Sequence, residues 1–114
     1  MYTELIIGNE VYKLKLTTRT SILLEKTLGY NPITLLMDIE RNKMPKLNDM
    51  LIILHASLQH LQHGINMDKV YDLFDAYVAD GHSLMDLLPV FIDVFKQSGY
   101  IAQDTEETSD EEKN

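Results

Sequence analysis

Leu47-Asn48-Asp49-Met50-Leu51-Ile52-Ile53-Leu54-His55-Ala56-Ser57-Leu58-Gln59-His60-Leu61-Gln62-His63-Gly64 is the stretch that decides the fold. Leu47, Met50, Leu51, Leu54, Leu58 and Leu61 recur at three-and-four spacing, the period of one face of an α-helix. Ile52, Ile53 and Ala56 fall elsewhere on the wheel, so the first half is apolar nearly all round. Such a helix lies at the centre of a core or lends part of its surface to an interface. The spacing predicts a helix that starts at Leu47, or just after Asn48 if that residue is its cap, and runs to Gly64.

Upstream, Thr17 or Thr18 caps a helix through Ile22, Leu23, Leu24 and Leu28, and Gly29 stands where a left-handed C-cap residue belongs. Asn31-Pro32 opens a second helix with proline in its first turn. It carries Leu35, Leu36 and Ile39 and ends before Pro45. At the start of the chain, Tyr2 to Ile7 and Glu10 to Leu16 are rich in β-formers around Gly8-Asn9, a two-residue hairpin signal. Tyr12, Leu14 and Leu16 alternate with Lys13 and Lys15, which gives one buried and one wet face. A lone hairpin is marginal in water, so this one must pack on helices.

Downstream, Asn66 caps a fourth helix with Val70, Leu73, Phe74, Tyr77 and Val78 facing in and Lys69, Asp72 and Asp75 facing out. Ser83 caps a fifth, with Leu84, Leu87, Leu88, Phe91, Ile92 and Phe95, which Ser98-Gly99 stops. Pro89 inside this pattern either kinks the helix or marks its real start. From about Ala102 the composition changes: Gln103 to Asn114 has no hydrophobic residue and is expected to be disordered. The expected fold is mainly α, with an N-terminal two-stranded hairpin, about five short helices and an acidic tail. The division is one domain over residues 1–101 and a tail over 102–114.

Composition narrows the function. The chain has 114 residues, no cysteine and a net charge of −8. One domain fits that length, and no disulfide or thiolate chemistry is available. Six acids against Lys113 in Asp104–Asn114 give the tail a net charge of −5, leaving −3 for the rest. An acidic chain repels phosphate backbones, which argues against nucleic acid. The N-terminus lacks the pattern of a signal peptide, and no apolar run approaches the roughly 20 residues of a membrane span. A soluble, cytosolic protein is the expectation.

No catalytic constellation stands out. His60 and His63 share a helical face with His55 off to one side, but there is no HExxH motif, and solvent-facing rim residues are the simpler reading. His82 serves a turn after Gly81. Asp72, Asp75 and Asp80 near Gly81 fail as a calcium loop, because placing Gly81 at the loop's glycine puts Ala76 and Val78 at ligand positions. No nucleophile has a base beside it, and there is no phosphate-cradling glycine loop. The expectation is a binding protein without cofactor or metal. Met37, Met44, Met50, Met67 and Met85 either fill the core or line an adaptable apolar groove. The exposed parts of the apolar helices, namely Ile52, Ile53, Tyr71, Met85 and Phe91, are the candidate contacts.

The hairpin, the Gly29-Tyr30-Asn31-Pro32 link, and Leu87-Leu88-Pro89-Val90-Phe91 running to Gln97-Ser98-Gly99-Tyr100 together resemble the tail assembly chaperones of Gram-positive long-tailed phages and prophages. The likeness covers roughly residues 1 to 101, and the charged C-terminus is similar too. The resemblance implies a chaperone that keeps the tape-measure protein soluble during tail morphogenesis, with tail-tube subunits as a second partner. The chaperone is expected in the host cytoplasm, as a monomer or weak homo-oligomer, and absent from the mature virion. Such chaperones are often made in two lengths by a −1 frameshift. If Glu112-Lys113-Asn114 is encoded GAA-AAA-AAC, it holds a slippery heptamer in the correct frame. The rival readings are an acidic phage-encoded inhibitor or DNA mimic, a metalloprotein or enzyme, and a structural tail component.

Overall fold

The structure, a computed structural model, describes residues 1–103. The chain opens with β1 (Thr3–Ile7) and β2 (Glu10–Leu14), paired antiparallel with Thr3 opposite Leu14 and Ile7 opposite Glu10. Gly8 makes the turn at φ 62°, a left-handed conformation that costs glycine little and other residues more. Thr3, Leu5, Ile7, Leu14 and Leu16 are buried, while Glu4, Ile6, Val11 and Lys13 face out, so the period-two reading holds.

Helices α1 (Thr18–Leu28), α2 (Ile33–Glu40), α3 (Leu47–Leu58) and α4 (Met67–Ala79) follow, then a 3-10 turn (Leu84–Asp86) and α5 (Leu87–Ser98). Thr17 caps α1 by accepting from the Thr20 N–H, and Gly29 closes it at φ 86°. The Asn31 side chain accepts from the Ile33 N–H to start α2. Asn66 caps α4 by accepting from the Lys69 N–H. The Asp86 carboxylate accepts from the Ser83 N–H, so the turn before α5 is fixed from below. Pro89 is the third residue of α5 and therefore marks its start. Its missing N–H falls in a first turn, where no intrahelical partner is due.

The core forms around α3, which packs against α1, α4, α5 and β2. Met50, Leu51, Ile53, Leu54, Ala56 and Leu58 on it are all buried, as suits a helix apolar on several sides. β1 rests on α5 and α4. The Thr3 hydroxyl donates to Asp93 at 2.6 Å and accepts from the Gln97 amide at 3.0 Å, which ties the hairpin to the last helix.

Three expectations are corrected. Helix α3 ends at Leu58 rather than Gly64, because the Gln59 side chain folds back to donate to the His55 carbonyl at 3.0 Å and to the Ile65 carbonyl at 2.8 Å. The His55 carbonyl would otherwise receive the Gln59 backbone N–H, which goes instead to the Ala56 carbonyl. The freed segment brings Gln62 to the hairpin, where its side chain accepts from the Lys13 N–H at 2.9 Å. His60 and His63 therefore lie beyond the helix, exposed, and share no helical face. Val78, read as facing in, is 47% exposed. The acidic run from Asp104 lies outside the described residues.

Candidate functional site

α1 and α4 stand on either side of α3 and leave a groove of about 560 Å³ above it. One stripe of α3 forms the floor: Asn48, Ile52, His55, Ala56 and Gln59, at helical spacing. Thr20, Leu23 and Thr27 of α1 make one wall, and Met67 and Tyr71 of α4 the other. From Asn48 to Gln59 the floor runs about 17 Å at 1.5 Å per residue, close to three helical turns. A groove of that length between two helices has the shape of a missing fourth helix, since packed helices sit about 8–10 Å apart.

Several large apolar side chains of the lining stand open to water. Leu23 is 56% exposed and Tyr71 45% exposed. Ile52 and Met67 are half-buried. Large apolar side chains held open to water side by side mark an interaction site more often than isolated ones do. Polar groups sit at the ends of the floor, Asn48 at one and Gln59 at the other.

His55 sits on the floor, half-buried, rather than on a wet rim as the sequence suggests. Burial lowers its pKa from the ordinary imidazole value, with a hydrogen bond to the Ile65 backbone opposing the shift. No Asp, Glu, Lys or Arg is among the lining residues, so nothing charged within the groove holds a proton on the ring.

Residues 3–113 match a family described as "Family of unknown function (DUF6096)". The chain belongs to that family. No curated protein and no solved structure matches it.

In this DUF6096 member the expected contacts divide. Ile52 and Tyr71 both line the groove. Ile53 and Phe91 are each 1% exposed and belong to the core, so the reading of them as surface contacts is corrected. Ile53 is next to Ile52 in sequence, but a 100° step turns it away from the floor. Phe91 lies on the inward face of α5 with Val94 and Phe95. Met85 is half-buried on the 3-10 turn and does not line the groove. Of the methionines, Met50 is core, Met67 is groove wall, and Met37 and Met44 are exposed around α2. Sequence reasoning missed Leu23, whose signal is its place between Arg19 and Lys26 on one stripe of α1.

Other polar clusters are structural. Tyr77 and His82 stack at 4.4 Å between ring centroids, and His82 lies 3.6 Å from Asp86, which settles the loop after α4. Tyr100 packs edge-on against Phe95, and its hydroxyl donates to Glu25 at 2.6 Å. Burial, then that bond, pushes the Tyr100 pKa up to about 12. Among the described residues no three His, Asp or Glu side chains are placed to share a metal ion, and no helix is long and apolar enough to cross a membrane.

Proposed function

We propose that the protein is a phage tail assembly chaperone that takes apolar helical segments of the tape-measure protein into the α1–α3–α4 groove. The observation that carries this reading is the groove itself: three turns long, walled by Leu23, Met67 and Tyr71, and floored by Ile52 and Ala56. The sequence resemblance supplies the partner. A tape measure is a long helical chain whose apolar faces stay uncovered until the tail tube encloses them, and faces of that size aggregate. A helix laid in the groove is masked on one side, while the net charge of −8 keeps one complex away from the next.

On this reading the protein acts by reversible binding in the host cytoplasm, with no chemical step, cofactor, nucleic acid or membrane. It is a monomer or weak oligomer and leaves before the virion is finished, and tail-tube subunits are a second partner. The test is titration of helical tape-measure fragments into isotope-labelled protein. Shifts centred on Leu23, Ile52, His55 and Tyr71 support the proposal. Saturating fragment with no shift at those residues removes it.

A further inference from the structure

Beyond the apolar lining, the next residues outward on the two walls carry opposite charge. On α1, Arg19 and Lys26 flank Leu23 at i−4 and i+3, on the side away from the core. On α4, Asp68 and Asp75 flank Tyr71 at i−3 and i+4, again on the outer side. All four are exposed, and none is in an ion pair among the described residues. Each pair is seven residues apart, two turns of helix, so the rims repeat with the same step.

From this arrangement we infer that the occupant is an amphipathic helix with an apolar heptad stripe, acids along one flank and bases along the other. The inference rests on the groove reading above and adds the chemistry of the partner. Acids seven apart lie over Arg19 and Lys26, and bases seven apart lie over Asp68 and Asp75. In heptad language the a and d residues fill the groove and the e and g residues carry opposite signs. The split charge also fixes direction. Turning the helix end for end exchanges its flanks, setting acid on acid and base on base. A uniformly acidic or uniformly basic helix matches one rim and is repelled by the other.

Four peptides of about 21 residues, or three heptads, test this with one set of a and d leucines. They carry Glu at e with Lys at g, Glu at both, Lys at both, or Gln at both. Titrated into the full chain at low salt, the split peptide should bind about five- to tenfold tighter than either uniformly charged one, and high salt should erase the difference. In the double variant Arg19→Glu, Lys26→Glu, checked for folding by circular dichroism, the all-Lys peptide should become the best ligand. Equal binding of all four, unchanged in the variant, overturns the charge inference and leaves the groove reading standing. If no peptide binds, the Gln one included, the groove reading itself falls. A chain that doubles its mass with concentration, and reverts on Tyr71→Asp, assigns the groove to a second copy and overturns the proposal.

Discussion

The Tyr30 hydroxyl donates to Asp49 at 2.7 Å, nineteen residues later, and so fastens the turn after α1 to the first turn of α3. This joins the wall of the groove to its floor. Asp49 is well placed to accept, because a carboxylate in a helix's first turn also meets the unpaired N–H groups there. Burial, then this bond, raises the Tyr30 pKa above the ordinary tyrosine value.

Tyr30→Phe keeps the ring and removes the donor, leaving Asp49 to water. The expected loss is about 1–2 kcal/mol, the worth of a hydrogen bond to a charged group at a half-buried site. For a domain of this size that lowers Tm by roughly 4–16 °C. Thermal melts of the two proteins check it, and an unchanged Tm rejects the bond as a fastening.

Neighbouring residues should separate stability from binding. Ile53→Ala and Phe91→Ala open cavities in the core and should cost about 2–5 kcal/mol each in chemical denaturation. Tyr71→Ser, at an exposed position, should leave stability within about 0.5 kcal/mol yet weaken helix binding roughly tenfold. Denaturation midpoints and peptide titrations on the same samples read both. Equal binding by Tyr71→Ser and the unaltered chain counts against the α4 wall.

His55 gives stability a pH dependence of definite sign. In the unfolded chain the imidazole titrates near 6.5, and in the fold burial lowers that value. Above about pH 6.5 the ring is neutral in both states and its contribution is complete. As pH falls through the lower folded value, the unfolded chain takes up the proton first and stability is lost. Between about pH 7.5 and 5.5, Tm should drop further in the unaltered chain than in His55→Gln. A helix over the groove should bury the ring more and bind less tightly at the acid end. Identical Tm profiles for the two proteins would sink this assignment.

Much of the architecture is legible in the sequence because local chemistry decides it. Gly8-Asn9 sets the hairpin, Thr17 and Asn66 cap their helices, and Gly29 and Gly99 end theirs in left-handed conformations. The centrality of α3 follows from its apolar girth. The groove is legible only in part. Ile52 and Ile53 are alike as sequence, and which one stays open depends on where α1 and α4 stop covering α3. The end of α3 was hidden for a similar reason. Gln59 and Gln62 look like ordinary helix residues until their amides meet a helix carbonyl and a strand N–H. Leu23 fits an inward stripe beside Leu24, yet it faces the groove because α1 is covered on one side only.

The decisive experiment for the proposed function is co-expression with a phage tape-measure protein, followed by sedimentation. If the proposal holds, the tape measure stays in the supernatant as a complex with the unaltered chain, and pellets with the folded variant Ile52→Asp, Tyr71→Asp. A tape measure that pellets equally with either chain, or stays soluble without both, would contradict it.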